Sequence, residues 1–370
     1  SIEVITSPTA KYEGEGDAGI INIITKRKQI VGFNATINGS VGTRVNRQSF
    51  NLNVGKGKFG ISSRAMVRYG WKLPGQGFSY RDNYNNQTTL VQMNRTEGQW
   101  IGFGGNTEVY YDINPYNSIT SNISYRGNIQ TRESWAQDTL YTSDFGLEGK
   151  NQITAFIDSL RDAGIIKENR FTDSENFKNS YEWTTDYVKK FSNHEDRELS
   201  IAFQLGLDIR DDDTYVLTNP TNYNVWNDTV WNRNDASPLS KVIQLDYVHP
   251  IEDKHTVEFG AKYIDRDMTS QYSTWDEGDF TQPYEQFAYN QKVTSGYVST
   301  KWELNKNWGM VAGLRGEHTQ ISGQWNQQIS GEWVQNEKDT FQNDYLTILP
   351  NLIFSYKIDM MQSLKFSYSK

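Results

Sequence analysis

From about residue 33 to the end of the chain, apolar and polar residues alternate with a period of two, which sends successive side chains to opposite faces of a β-strand. The longest clean stretch sets Leu199, Ile201, Phe203, Leu205, Leu207 and Ile209 on one face, and Ser200, Ala202, Gln204, Gly206, Asp208 and Arg210 on the other. Met310, Ala312 and Leu314 oppose Val311, Gly313 and Arg315 in the same way, and Leu364, Phe366 and Tyr368 oppose Lys365, Ser367 and Ser369. The alternation predicts about thirteen strands, near 33–45, 47–58, 59–71, 97–114, 117–138, 181–193 and 197–217, then near 238–250, 254–271, 287–304, 307–325, 344–358 and 362–370. Their connections alternate in length. Gly57-Lys58, Ile113-Asn114-Pro115-Tyr116, His194-Glu195-Asp196, Pro250-Ile251-Glu252-Asp253, Asn305-Lys306 and Asp359-Met360-Met361 mark tight turns rich in Gly, Pro, Asn and Asp. The others, apart from a first short one near Arg44 to Arg47, run about 16 to 45 residues and hold most of the irregular polar sequence. In one of them Ile153, Phe156, Ile157 and Leu160 follow helical spacing, with Ala163-Gly164 as a stop.

One trimmed rim and one overgrown rim is the pattern of an antiparallel transmembrane β-barrel with short periplasmic turns and long external loops. A soluble sandwich also alternates, but long structureless loops are uncommon in soluble domains. Composition fits the barrel. Aromatics make up 14% of the chain while hydrophobic residues reach only 36%, and the mean hydropathy is -0.73. No apolar run approaches the ~18 residues of a spanning helix, whereas a barrel strand needs lipid-compatible side chains only at alternate positions. Tyr110, Tyr111, Tyr116, Phe191, Tyr247, Trp302, Trp308 and Tyr356 cluster near the short turns, as an interfacial aromatic belt or as cross-strand ring pairs. The absence of cysteine excludes disulfides and thiolate metal sites. A net charge of -8 argues against a nucleic-acid partner. Three of the four histidines, His194, His249 and His255, fall at predicted short turns, and the pair His249 and His255 spans one hairpin without nearby carboxylates in ligand geometry, so neither a metal site nor a cofactor is expected. No fixed blade period marks a propeller.

Residues 1–29 break the period. They predict a strand over Ile2 to Thr6, a turn at Ser7-Pro8, a polar Gly-rich stretch from Glu13 to Gly19, and a second strand over Ile20 to Thr25. No Gly-Lys-Ser/Thr ending or helical pattern follows the glycines, which argues against a phosphate cradle. The string Ile2-Glu3-Val4-Ile5-Thr6-Ser7-Pro8, followed by Lys11-Tyr12, Gly16 and Ala18-Gly19-Ile20-Ile21-Asn22-Ile23-Ile24-Thr25-Lys26, resembles the end of the plug domain of TonB-dependent outer-membrane receptors, with Ser7 where that family usually has Gly or Asn. Gly313-Leu314-Arg315-Gly316-Glu317-His318-Thr319, Leu349-Pro350-Asn351-Leu352 and Ser363-Leu364-Lys365-Phe366-Ser367-Tyr368-Ser369 are similar to mid-barrel strands of the same receptors, especially those of Bacteroidetes.

The resemblance implies an all-β fragment. Residues 1–29 would be the C-terminal end of a plug, and residues 30–370 a partial barrel with about thirteen of an expected 22 strands. It further implies TonB-dependent uptake of a nutrient such as a ferric siderophore or an oligosaccharide across the bacterial outer membrane, with no enzyme activity. The TonB complex, outer-membrane lipids, the nutrient ligand and a surface lipoprotein are the partners it suggests. Gly16, Gly19, Ile20, Asn22, Ile24 and Thr25 would carry the plug motif. Arg126, Arg210, Arg315 and Glu317, on polar strand faces, are candidates for a lumen wall that holds the plug or lines the path. Tyr80, Trp100, Trp135, Trp183, Trp231 and Trp275, placed near the loop rim among Asn, Gln and Asp, are candidates for stacking on a ligand. A passive barrel or adhesin and a soluble carbohydrate-binding β-protein remain the competing readings.

Overall fold

The computed structural model describes residues 2–5, 10–11, 20–23, 31–83, 88–142, 166–219, 228–276, 285–329, 332–359 and 362–369. The helix expected around 153–160 and the motif residues Gly16, Gly19, Ile24 and Thr25 lie outside them.

Two short strands, β1 (Ile2–Ile5) and β2 (Ile20–Ile23), pair antiparallel, Ile2 opposite Ile23. All other described strands form one antiparallel sheet in which, β10 and β11 apart, each pairs with its neighbours in sequence. They are β3 (Gly32–Ser40), β4 (Val45–Lys56), β5 (Phe59–Asn83), β6 (Thr88–Asn114), β7 (Asn117–Thr142), β8 (Ile166–Phe191), β9 (His194–Asn219), β10 (Asp228–Ala236), β11 (Leu239–Ile251), β12 (His255–Asp276), β13 (Glu285–Glu303), β14 (Trp308–Ile329), β15 (Glu332–Lys357) and β16 (Ser363–Ser369). β10 and β11 occupy a single place, end to end between β9 and β12, interrupted at Ser237-Pro238. Proline has no N–H for the ladder, and the break falls where it stands. The sheet therefore has the thirteen strand places that the alternation predicts. Among the described residues β3 and β16 do not pair with each other and form its two edges.

Strand lengths differ from the expectation. Much of the sequence assigned to long loops continues the ladders: β5 runs to Asn83, β7 to Thr142, β8 starts at Ile166 and β15 at Glu332. Beyond the apolar zone both faces meet water, so alternation disappears while backbone pairing persists, and a hydrophobicity pattern cannot follow it.

Directly paired residues share a face, so the registers carry one face across the whole sheet. On the outer face, the apolar run Leu199 to Ile209 of β9 is matched by Ile101 to Tyr111 on β6, Ile119 to Ile129 on β7 and Phe177 to Tyr187 on β8, apolar, aromatic or small at alternate positions except for Asn179, which is buried and accepts a hydrogen bond from the Tyr125 hydroxyl. Each run spans ten residue steps, about 33 Å of strand, which at a tilt of about 40° crosses roughly 25 Å, the height of a membrane barrel's apolar band. Many of the most exposed apolar side chains lie on this face, among them Ile123 at 62%, Leu346 at 67% and Phe366 at 66%. Within two outward positions past the run the outer face turns charged, with Glu97, Glu133, Glu175, Asp211 and Asp213. At the short-turn end it carries rings in contact: Trp308 on Tyr356 at 4.7 Å, and Tyr247 between Phe191 and Phe259. These rings are cross-strand partners and, by their height, a girdle.

Because only the outer face meets hydrocarbon, Leu205→Arg near the middle of the β9 run is expected to lower unfolding stability by about 2–4 kcal/mol. Gln204→Arg on the opposite face should stay within about 0.5 kcal/mol. Urea titration of the protein in lipid vesicles checks both.

Candidate functional site

The opposite, inner face is polar along its whole width. It presents Asn34, Thr36 and Asn38 on β3, Arg64 and Arg68 on β5, Arg126 and Asn128 on β7, Asp208 and Arg210 on β9, and Arg315 and Glu317 on β14. Its best-buried part lies on β11 to β14. Arg315 is 2% exposed and donates from Nε to Glu317 Oε1 at 2.6 Å and from a terminal nitrogen to Ser295 Oγ at 2.7 Å. Tyr297, directly opposite Arg315 on β13, reaches across β12 to donate its hydroxyl to Asp246 Oδ1 on β11 at 2.6 Å, and Gln244 holds the other oxygen at 2.8 Å. Gly260, beside both, must be glycine: a Cβ there would come within 2.6 Å of Tyr297 Cε1 and of the Leu245 carbonyl oxygen.

This cluster touches the N-terminal segment. Ala10 is 5% exposed and packs against Gly313, where an added Cβ would stand 2.8 Å from its own. The remaining Arg315 terminal nitrogen donates to the Lys11 carbonyl at 3.5 Å. The contact joins residues 304 positions apart in the chain.

A second feature lies on β5 to β8. Gly102 and Gly104 open a recess of about 730 Å³ bordered by Arg64, Arg68 and Arg126, with Trp100 at one end and Glu182 on the rim. The Trp100 ring lies over Gly70, directly opposite it on β5, where any side chain would collide. Arg64 donates to Asn51 Oδ1 at 2.9 Å, whereas Arg68 Nε and Asn122 Oδ1 are buried with no hydrogen-bond partner among the described residues.

Arg126, Arg210, Arg315 and Glu317 thus all stand on the polar face, but in separate places: Arg126 at the recess, Arg210 on β9, and Arg315 with Glu317 in the buried cluster. Of the six aromatic residues placed near the loop rim, Trp100, Trp135 and Trp183 fall within strands already read from the alternation, while Tyr80, Trp231 and Trp275 stand in strands where loops were expected, because the ladders outlast the alternation. Trp100 faces inward at the recess. Trp183 faces outward within the apolar run of β8, its Nε1 donating to Ser121 Oγ at 3.0 Å, so it sits at lipid height rather than at the rim. Trp135, Trp231 and Trp275 lie above the apolar runs on the outer face, Trp231 directly opposite Trp275 and Trp135 tilted on Phe171 at 5.4 Å. Tyr80 is 47% exposed and pairs with Val91. Ile20 and Asn22 lie in β2. Among the described residues no cluster of three or more His, Asp or Glu side chains could hold a metal ion.

Two predictions follow from these charges. Arg315→Ala leaves Glu317 buried without its cation and is expected to cost about 3–5 kcal/mol, while joint replacement of both by leucine recovers most of it; unfolding in vesicles reads the difference. Above the apolar band, desolvation and then the neighbouring Asp235 carboxyl push Asp211 above the usual carboxylate range, although Arg233 lies 3.2 Å away and opposes the shift. The folded state therefore binds this proton more tightly than the unfolded chain, and ionisation above the folded pKa works against the fold. Asp211→Asn is expected to raise stability at neutral pH, a gain that shrinks as pH falls and vanishes below about pH 4.

Residues 189–370 match the family model described as the outer membrane protein beta-barrel family. No curated protein matches the chain. Solved structures similar to it include the toluene transporter TodX of Pseudomonas putida (9% identity, 91% of this chain and 84% of that one, TM-score 0.31). The outer membrane protease OmpT of Escherichia coli is similar at 10% identity, over 83% of this chain and 96% of that one, with a TM-score of 0.26. The ferric citrate transporter FecA is similar at 11% identity, over the full chain and 64% of that structure, with a TM-score of 0.30. At such scores these overlaps decide nothing about cargo or chemistry, and the assignment rests on the family match together with the two-faced sheet and its apolar band. Residues 189–370 carry the pattern of the outer membrane protein beta-barrel family, and the chain is an antiparallel β-barrel protein of the bacterial outer membrane.

Proposed function

We propose that the protein takes up a scarce solute across the outer membrane in a TonB-dependent manner, making and breaking no covalent bond. The observation that carries this reading is the seating of the N-terminal segment on the inner wall: Ala10 against Gly313, and the Lys11 carbonyl on Arg315. That segment lies inside the stretch whose sequence resembles the end of a plug, and a plug that is to be moved has to be held by the wall through bonds that can be exchanged. Hydrogen bonds to a fixed arginine suit that task, since each contributes only about 1–3 kcal/mol and can be replaced by water. Arg315 and Glu317 would hold the plug, and Arg126 and Arg210 would line the path. Trp100, and the rings above the band, Tyr80, Trp135, Trp231 and Trp275, would meet the cargo. A ferric siderophore, an oligosaccharide or another solute too large for a porin fits such a path. Energy would come from the inner membrane through the TonB complex, and a surface lipoprotein could cover the outer mouth.

Uptake in the source bacterium tests the reading. Cells carrying the intact gene are expected to accumulate the cargo at least about tenfold more than a disruptant, and removal of TonB function or collapse of the proton gradient should abolish the difference. Accumulation that survives both treatments would mean a passive barrel.

A further inference from the structure

We infer that the inner wall carries a binding track for an extended solute bearing two or more carboxylate or sulfate groups, formed by one lateral row of the sheet. The registers place Arg47 opposite Arg68, Arg68 opposite Gly102, Gly102 opposite Asn128, Asn128 opposite Lys178 and Lys178 opposite Arg210. Pairing keeps all six on the polar face. At about 4.8 Å between strands, this row from β4 to β9 extends roughly 24 Å.

The charge pattern of the row opposes folding unless something neutralises it. Like charges directly opposite each other on neighbouring strands are destabilising, and the row contains two such pairs, Arg47 with Arg68 and Lys178 with Arg210. Among the described residues no carboxylate stands within ion-pair distance of any of the four, although the chain has 45 acidic residues against 37 Lys and Arg. Cations on the outer face are treated differently: Lys72 lies 2.5 Å from Glu133, Arg95 2.6 Å from Glu97, and Arg233 3.0 Å from Asp235. An acid-rich chain thus pairs several of its outer cations with carboxylates and leaves this inner row without one among the described residues.

The space for a ligand lies on the same row. Gly102 occupies its centre and, with Gly104, opens the 730 Å³ recess, where Arg126 adds a further guanidinium. Arg68 Nε, buried and without a partner, has one donor still to satisfy. Guanidinium groups bind carboxylate and sulfate through paired, charge-assisted hydrogen bonds. Trp100 supplies an apolar wall on which a ring can lie. Several fixed cations along a line select an elongated polyanion, an acidic oligosaccharide above all, over a neutral sugar or a compact monoanion.

The track deepens the uptake reading and rests on it for its purpose, but binding does not require energised transport, so the two can fail separately. The full-length protein in detergent is titrated calorimetrically with oligogalacturonates of two to eight units and with neutral maltohexaose. Affinity is expected to rise with the number of carboxylates and to fall steeply with salt, while maltohexaose binds at least about tenfold more weakly. The double variant Arg68→Gln with Lys178→Gln should lower galacturonate affinity by about tenfold or more, Arg68→Lys should retain part of it, and Glu175→Gln on the outer face should leave it unchanged. Heat-modifiable gel migration identifies variants that have folded. Equal binding of the neutral and acidic probes, binding indifferent to the double substitution, or no binding of galacturonate by the folded protein would each overturn the track. Uptake that proves independent of TonB while galacturonate binding persists would remove the transport reading and leave the track standing.

Discussion

Hydrocarbon offers no partner for a backbone N–H or C=O, so a chain that crosses it as strands must satisfy every such group in its neighbours. The consecutive antiparallel pairing from β3 to β16 meets that demand for every strand with two neighbours, and it ties each strand's position to the adjacent turn. Once pairing is obligatory, side chains have two directions only. The outward set becomes the apolar, aromatic and small runs of about 33 Å, and the inward set is free to be polar. The abrupt change from Ile209 to Asp211 on β9, and from Ile101 to Glu97 on β6, marks where the solvent changes rather than where the strand ends.

The same division separates two kinds of electrostatics. Charges just above the apolar band are paired into short networks such as Lys72 with Glu133 and Arg233 with Asp211 and Asp235, each screened by water and each of small consequence for stability. On the inner face Arg315 is buried and bound on three sides, where its removal would strand Glu317. Between these extremes lies the row from Arg47 to Arg210, inward-facing and uncompensated by any described carboxylate. On the proposed uptake reading, Arg315 would anchor what stays and the row would meet what passes.

Much of the architecture is legible in the chain itself. Leu199 to Ile209 declares its two faces without a structure, and the tight turns at Gly57-Lys58 and Asn305-Lys306 fall between strands as their residue types require. Strand ends are less legible. β5 and β15 continue many residues past the last alternating position, since a ladder in water needs no hydrophobic face to persist. That is also why Tyr80, Trp231 and Trp275 stand on strands, and why Trp183, near the end of its alternating stretch, belongs at lipid height. The recess at Gly102 has no local signature either, because glycine in a strand reads only as a weak position until its neighbours on β5 and β7 are known.

The sequence by itself determined the phase of the alternating stretches, because side-chain direction alternates along one chain and depends on no other. It therefore decided which residues face lipid and which face inward, Arg126, Arg210, Arg315 and Glu317 included. Only the tertiary structure decided which of those residues meet. Lys11 reaches Arg315 across 304 positions, and Arg47, Arg68, Lys178 and Arg210 share one row through five successive registers. Register depends on how each hairpin is aligned with the next, so lateral neighbours exist only once the whole sheet has formed.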